Sequence, residues 1–190
     1  MSARADLGWL TARPIAHRGL HGLAPGAVEN CPRAFEAAIS GNYAIECDVQ
    51  PTADGEAIVF HDATLDRLTT ATGRLDERTA SSLKAIPFRA TDDRMITLAE
   101  LFALVAGRVP LVVEIKSEFD GKLELTRRVA ALAAAYRGPL GLMSFDPAPI
   151  AWLRENAPGL VRGIVAESHY AGAHWARLPD DMRQDLASLA

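Results

Sequence analysis

Short apolar runs alternate along the chain with longer segments in which apolar residues recur every three or four positions. Each run has the length of a buried strand, about 4 to 8 residues. The runs cover residues 14–17, 43–49, 57–61, 110–116, 140–145 and 161–167. We therefore predict six strands with helices between them.

The segments between the runs carry signals for helix ends. Asn30 is predicted to cap a helix that has Pro32 in its first turn and Gly41 at its end. Thr97 and Glu100 have the spacing of a capping box. That second helix is predicted to end at Gly107, and further helices are predicted over residues 123–136, 147–157 and 179–189.

Alternation of strands and helices predicts a parallel sheet with helices packed outside it. A TIM (β/α)₈ barrel needs two more strands and about 250 residues, whereas this chain has 190. The pattern leaves a barrel truncated after about six strands and an open α/β sheet as alternatives. Residues 62–96 are rich in Thr, Arg and Asp and are predicted to form loops with a short helix.

Composition limits the classes of protein to consider. The length suits a single domain over residues 1–190, and 49% hydrophobic with 23% charged residues is typical of a globular protein. A net charge of -4 gives no basic surface for nucleic acid. No run is long enough to span a membrane, and residues 1–11 lack the apolar core of a signal peptide. We therefore expect a cytoplasmic protein, in which Cys31 and Cys47 are reduced.

Charged residues stand at the carboxyl ends of four predicted strands, although buried parallel strands are normally apolar. Burying unpaired charge is costly, and α/β proteins bind ligands at the carboxyl ends of their strands. We therefore expect an active site there. The residues concerned are His17 and Arg18, Glu46 and Asp48, His61 and Asp62, and Glu114 and Lys116.

Each of these features has a simpler interpretation on its own. Because strand side chains alternate, Glu46 and Asp48 share a face, and they could be an edge pair facing water. Glu114 with Lys116 could be a structural ion pair, and His61 a buried, hydrogen-bonded histidine. The conjunction of all of them favours a functional site.

The residue types at this site indicate phosphoryl chemistry. Glu46, Asp48 and Glu114 offer only oxygen ligands, which suit Mg²⁺, Ca²⁺ or Mn²⁺. Arginine binds phosphate through two parallel hydrogen bonds, and Arg18 is the candidate for that contact. Two histidines can act as general acid and general base.

The order of the motifs resembles the glycerophosphodiester phosphodiesterase family, within the phospholipase-C-like phosphodiesterase superfamily. The resemblance covers about residues 13–168. The motifs are His17-Arg18-Gly19, Glu29-Asn30, Glu46-Cys47-Asp48-Val49, Asp54-Gly55, Val59-Phe60-His61-Asp62, Thr64-Leu65-Asp66-Arg67, Gly73 and Glu114-Ile115-Lys116.

The resemblance implies a TIM barrel with a small insertion, residues 62–96, after the third strand. It implies metal-dependent hydrolysis of a glycerophosphodiester to glycerol 3-phosphate and an alcohol. It also assigns roles: one divalent cation on Glu46, Asp48 and Glu114; acid–base catalysis by His17 and His61; phosphate contacts by Arg18 and Lys116; and a place near the site for Glu29. Asn30 stays the predicted helix cap.

The chain departs from the family pattern over residues 168–190. Two further strands normally follow, and Trp175 does not match their aromatic motif. We therefore expect the substrate wall to be absent or supplied from elsewhere, by a truncated barrel or by closure with another chain, which includes a homo-oligomer. His21, His169 and His174 are expected to have no role, and Asp66 with Arg67 to tie down the insertion.

Two other functions stay open. One is a related phosphodiesterase that acts on lysophospholipids. The other is a non-catalytic barrel that binds a cation and a phosphate, although simple phosphate binding needs neither histidine.

Overall fold

The predicted strands are present, and five of them form one parallel array in a sheet of order β1-β2-β4-β5-β6. The computed structural model describes residues 7–23, 25–167, 169, 170, 172, 175, 176 and 178–189. The strands are β1 (Ile15–Ala16), β2 (Ala44–Pro51), β3 (Ala57–Val59), β4 (Leu111–Ile115), β5 (Leu140–Ser144) and β6 (Val161–Ile164). The helices are α1 (Pro32–Ser40), α2 (Ala80–Ala85), α3 (Leu98–Val105), α4 (Glu124–Ala135), α5 (Pro147–Asn156) and α6 (Asp180–Ala187), preceded by a 3-10 turn at Gly8–Leu10.

The sheet is that of a TIM-type barrel, but the strands of the described residues do not close it. β1 stands at one end of the strand order and β6 at the other. Parallel strands joined by helices on the outside confirm the predicted α/β class. Within the described part of the chain, no helix is both long and apolar enough to cross a membrane.

Strand β3 differs from the prediction, because it runs antiparallel to β2. The loop between them is short, and Gly55 adopts φ 77°, a left-handed conformation that favours glycine. A parallel connection needs a crossover of about a dozen residues, so this loop permits only a hairpin. The apolar run at residues 57–61 shows where a strand lies but not its direction.

The hairpin changes how the ends of the strands meet. β1 pairs with Ala44 and Ile45 at the start of β2, whereas β3 pairs with the last three residues of β2. Both lie along the edge of β2 opposite β4, because β4 pairs with residues 45–49. β1 and β3 therefore approach each other from opposite directions along one edge. His17 and His61 do not follow two parallel strands, as the sequence predicted.

The main core lies between the sheet and helices α1, α3, α4 and α5. Cys47 and Val49 are buried in it, which confirms that Glu46 and Asp48 face the other way. Both cysteines are buried free thiols.

Residues 62–96 contain α2 and several turns, as predicted, but they are well packed. A second apolar cluster joins this segment to Cys31, which precedes α1, and to Ile58 and Phe60 in and after β3. Its members from the segment are Leu65, Leu75, Leu83, Phe88 and Met95. A third cluster is built by described residues of the C-terminal segment, and Phe119 and Phe145 pack against it. Its buried members are Tyr170, Trp175, Leu178 and Leu186.

Candidate active site

Three carboxylates from adjacent strands form the floor of the site. Glu46 and Asp48 lie on β2, and Asp48 is paired directly with Glu114 on β4. All three residues are buried, and each places a carboxylate oxygen within 4.8 Å of the others. The alternation of the two strands thus brings together the three predicted metal ligands.

The charges of this group are incompletely balanced. Burial, together with the charge of Asp48, raises the pKa of Glu46 to about 8. Burial likewise raises the pKa of Glu114. Glu46 Oε1 is buried and has no hydrogen-bond donor among the described residues. A buried carboxylate oxygen without a donor, among other carboxylates, fits a hard divalent cation.

Asp48 has the largest number of partners in the group. Lys116 Nζ lies 2.7 Å from Asp48 Oδ1 and 2.7 Å from Glu114 Oε1. Burial acts to raise the pKa of Asp48, but Lys116 and a hydrogen bond from Asn30 hold it below its usual value. Lys116, predicted to bind phosphate, thus contacts two carboxylates and also lines the cavity.

Asn30 is not the helix cap that the sequence predicted. The residue at the N-cap of α1 is Cys31, which makes no side-chain capping bond. Asn30 has φ 57°, and its Nδ2 donates to Asp48 Oδ2 at 2.9 Å. Its Oδ1 accepts from the backbone N–H of Asp48 at 3.3 Å. Asn30 is therefore buried in the site and orients Asp48, a role with no periodic signal in sequence.

Arg18 follows β1 in a tight turn. Its φ is 58°, and its backbone N–H donates to Glu46 Oε2 at 3.0 Å. Its guanidinium donates to Glu29 Oε1 at 2.8 Å, and its Nε lies 3.4 Å from Asp48 Oδ2. Gly19 is required next, because a Cβ there would lie 2.9 Å from Ala34. The turn places Arg18 beside both the carboxylates and Glu29.

The two histidines differ in their surroundings. His17 is 69% exposed, and its Nε2 lies 3.9 Å from Glu46 Oε2. Partial burial and the charge of Arg18 lower the pKa of His17. His61 is less exposed, and its Nδ1 lies 2.7 Å from Asp62 Oδ1. Gln50 Nε2 donates to the carbonyl oxygen of His61 at 2.8 Å and fixes its backbone.

Arg67 belongs to this site, and the sequence did not predict that. Asp66 accepts from the backbone N–H of Gly73 within the insertion, which agrees with its predicted part in tying down that segment. Arg67 donates to Glu29 at 2.9 and 2.7 Å and to Asp62 at 2.6 and 2.9 Å. Glu29 lies 38 residues away along the chain, so the sequence carries no spacing signal for this contact.

These groups open into one cavity of about 790 Å³. His17, Arg18 and His61 line it together with Glu46 and Glu114 of the carboxylate floor. Apolar side chains line another part of the cavity: Phe119, Met143, Phe145, Val165 and Trp175.

The apolar side chains supply the wall that the sequence expected to be absent or to come from elsewhere. Trp175 is buried against Tyr170, Phe145 and Phe119, with ring centroids 4.8, 5.4 and 5.9 Å away. His21 is exposed, and neither it nor His169 lines the cavity. His174 lies outside the described residues.

The sequence is similar to known proteins over most of its length. Residues 17–179 match the model of the glycerophosphoryl diester phosphodiesterase family. The chain is 32% identical over 178 residues to a protein of Mycobacterium tuberculosis H37Rv named probable glycerophosphodiester phosphodiesterase 1. The match covers 81% of this chain and 64% of that relative, so this chain spans less than two thirds of its length.

Solved structures are similar over most of the chain. A glycerophosphodiester phosphodiesterase from Thermotoga maritima is 29% identical, with a TM-score of 0.65 over 84% of this chain and 65% of the other. A phosphodiesterase from Oleispira antarctica, in complex with the product sn-glycerol-3-phosphate, has a TM-score of 0.73. It covers 93% of this chain and 73% of the other at 23% identity, which shows the shared fold.

Proposed function

The chain belongs to the glycerophosphoryl diester phosphodiesterase family, and from that premise we propose that it hydrolyses glycerophosphodiesters to glycerol 3-phosphate and an alcohol. The observation that carries the proposal is a cluster of three buried carboxylates, two of which line one cavity together with an arginine and two histidines. Each of these groups has a task in breaking a phosphodiester bond.

Glu46, Asp48 and Glu114 would hold one divalent cation, Mg²⁺ or Ca²⁺, with Mn²⁺ as a third candidate. When bound, such an ion supplies Lewis-acid neutralisation of the phosphoryl oxygens. Arg18 adds a second positive group on the same side, and Lys116 a third, so the negative phosphodiester is bound and oriented.

His17 and His61 move the protons. One accepts a proton from the nucleophile, which is water or the 2-hydroxyl of the glycerol group, and the other protonates the leaving alkoxide. Attack by water gives glycerol 3-phosphate directly, whereas attack by the 2-hydroxyl gives a cyclic phosphate that a water molecule then opens, with the roles of the two histidines exchanged. Because His61 Nδ1 faces Asp62, its Nε2 is the atom available to the substrate. The strands that precede them approach along one edge of β2, and both histidines line the cavity, which suits a pair that acts on a single phosphodiester.

The decisive experiment is an assay of the folded protein with glycerophosphocholine and glycerophosphoethanolamine. We expect release of glycerol 3-phosphate in Mg²⁺ or Ca²⁺ and its loss in chelator. His17→Ala and His61→Ala should each lower kcat by about 10²- to 10⁴-fold. His21→Ala is the matched control, because His21 is an exposed histidine outside the cavity lining. A folded wild-type protein that releases no glycerol 3-phosphate with either ion would refute the proposal.

A lysophospholipid phosphodiesterase is the second candidate, and the apolar wall at Phe145 and Trp175 favours it. An acyl chain would contact such a wall, whereas a glycerophosphodiester has none. The ratio of kcat/KM for lysophosphatidylcholine to that for glycerophosphocholine separates the two candidates. The non-catalytic alternative predicts binding in a calorimeter and no product in either assay.

A cytoplasmic location and association with a second copy of the chain remain part of the proposal. Sedimentation of the purified protein at increasing concentration tests the second copy. Fractionation of the source cells, followed by detection with an antibody, tests the compartment.

A further inference from the structure

A continuous series of charged contacts joins the two sides of the cavity. Arg18 donates to Glu29 at 2.8 Å, Glu29 accepts from Arg67, and Arg67 donates to Asp62. Asp62 in turn lies 2.7 Å from His61 Nδ1. Every contact in the series is within hydrogen-bond distance. Arg18, the candidate for the phosphate contact, and His61, a proposed acid–base group, therefore belong to one network of contacts.

Arg67 is the centre of this network. Its guanidinium makes four hydrogen bonds, two to each of the carboxylates Glu29 and Asp62. Such a planar fork, with five N–H donors in fixed directions, is specific to arginine and cannot be reproduced by lysine. The hydrogen bonds from Arg67 are the main reason that the pKa of Glu29 falls to about 2, so Glu29 is charged across the neutral range.

Each carboxylate that Arg67 holds also contacts a second residue of the site. Glu29 Oε1 accepts from Arg18 as well as from Arg67. Asp62 Oδ1 contacts His61 as well as Arg67. Fixing the two carboxylates therefore fixes the direction of the Arg18 guanidinium and of the His61 ring.

We propose that Arg67 is a positioning residue that holds Arg18 and His61 in their working orientations through Glu29 and Asp62. The inference rests on the proposed function, because it assigns Arg67 to that reaction. Arg67 is 46% exposed and is not a member of any of the three apolar clusters. Its four hydrogen bonds all go to Glu29 and Asp62, which contact Arg18 and His61.

The first test compares Arg67→Ala with Arg74→Ala in the steady-state assay. Arg74 is an exact match in exposure, 46%, lies in the same segment and also forms a two-pronged pair, with Asp76. We expect Arg67→Ala to lower kcat about tenfold to a hundredfold with a smaller change in KM. Arg74→Ala should retain wild-type kcat, and kcat is compared at a temperature at which thermal unfolding shows both variants to be folded. Equal kcat in the two variants would overturn the inference.

Arg67→Lys tests the geometry of the fork and serves if Arg67→Ala fails to fold. It keeps the charge but cannot bind both carboxylates in two-pronged fashion. We expect less than full recovery of kcat. Full wild-type kcat in Arg67→Lys would show that charge alone suffices and would refute the positioning role.

A double-mutant cycle tests whether Arg67 acts through Asp62. If it does, adding Arg67→Ala to Asp62→Asn should lower kcat much less than Arg67→Ala lowers it in the wild-type protein. Fully multiplicative losses would contradict the proposed route to His61.

A readout that needs no turnover separates this inference from the proposed function. The ring ¹⁵N shifts of His61, assigned with His61→Gln, should report a proton fixed on Nδ1 in the wild-type protein. Arg67→Ala should mix the two tautomers, whereas Arg74→Ala should not. If the wild-type protein is inactive but Arg67→Ala still changes the His61 tautomer, the proposed function is refuted and the positioning role stands. If the wild-type protein is active and Arg67→Ala leaves the tautomer unchanged, the positioning role is refuted and the proposed function stands.

Discussion

Lys116 contacts two of the three buried carboxylates, Asp48 and Glu114, whereas Glu46 has a backbone N–H of Arg18 as its nearest donor. At the scale of single residues, the floor therefore holds three carboxylates against one lysine, and burial together with the charge of Asp48 raises the pKa of Glu46 to about 8. Repulsion between buried like charges is unfavourable, and binding of a divalent cation relieves it. Because cation binding depends on these few carboxylates, a single substitution among them should weaken it.

Asp48→Asn is expected to remove the response of the protein to divalent cations. A saturating cation, at about 100 times its dissociation constant, should stabilise the wild type by about 2.7 kcal/mol through mass action. The variant has one carboxylate fewer and should show little increase in Tm. Thermal unfolding with and without Mg²⁺ or Ca²⁺ measures this, and Glu36→Gln on the exposed side of α1 is the control. A full increase in the variant would disprove the ligand assignment.

Glu29→Gln is expected to change the dependence of stability on acid. The folded pKa of Glu29 is about 2, below its ordinary value of 4.5. A lowered folded pKa contributes stability that is complete above about pH 4.5 and is lost as the pH falls towards 2. The variant should be less stable than the wild type at pH 7, by about 3 kcal/mol at most.

The difference in unfolding free energy between the two proteins should narrow as the pH falls from about 4.5 towards 2, the window that these two pKa values define. Urea unfolding at pH 7, 5 and 3 measures it. A gap that stays constant over this range would show that Glu29 is not held as a charged partner of Arg18 and Arg67.

Most of the charged residues of the site could be predicted from the sequence, because burying a charged side chain at a strand end is unfavourable unless it has a partner. Glu46, Asp48 and Glu114 were found in that way, and they do meet. Asn30 and Arg67 were missed, because their roles depend on side chains that approach from other parts of the chain. In a loop, apolar and polar positions do not alternate regularly, so a polar residue there does not stand out in the sequence.

At the scale of elements, helix α3 illustrates what a sequence reveals about a helix end. Thr97 and Glu100 form the predicted capping box, with both reciprocal bonds present. Gly107 was predicted to end the helix, and it does follow it, but the left-handed residue at the C-cap is Ala106, with φ 48°. Residue 107 must also be glycine because there is no room for a side chain: a Cβ there would clash with the carbonyl oxygen of Arg137.

Ala106→Gly is therefore expected to stabilise the protein. An L-residue in the left-handed region costs about 1 to 2 kcal/mol, more than the extra chain entropy that glycine loses on folding. The net gain should be about 0.5 to 1 kcal/mol. Ala103→Gly, in the exposed middle of the same helix, should lose about the same amount. Urea unfolding measures both, and two changes of the same sign would contradict the explanation.

Strand positions were predictable and strand direction was not. The runs over β2, β4 and β5 are long, apolar and separated by helices, which implies parallel pairing. The run over β3 has the same character, and only the Asp54-Gly55 turn before it indicates a hairpin. The reversal matters because it decides from which side His61 enters the site.

At the scale of the whole molecule, the cavity has two kinds of wall from two kinds of chain segment. The charged floor comes from the strands, and part of the apolar wall comes from described residues of the C-terminal segment. The family pattern identified the first. Sequence reasoning did not identify the second, although the family model matches residues as far as 179, because Trp175 meets Phe145 only in three dimensions.

Trp175→Leu is expected to weaken binding of substrate more than it slows the chemical step. The side chain lines the apolar part of the cavity and packs against Phe119, Phe145 and Tyr170, so KM should rise several-fold while kcat changes little. Trp152→Leu is the control, since Trp152 lies on α5 beneath Arg127 and away from this cavity. Steady-state kinetics with both substrate classes measures the effect. A fall in kcat at unchanged KM would assign Trp175 to the chemistry instead.

The β2–β3 hairpin also bears on the order in which the site forms as the chain folds. The backbone N–H of Phe60 donates to the carbonyl of Asp48 across a short loop, so closing that loop loses little chain entropy. Glu114 joins Asp48 only after the long segment that follows His61 has folded back. We expect pulse-labelled hydrogen exchange to show protection of the Phe60 amide before the amides of β4. The pair Asp48 and His61 would then be a local nucleus, completed later by the distant third carboxylate.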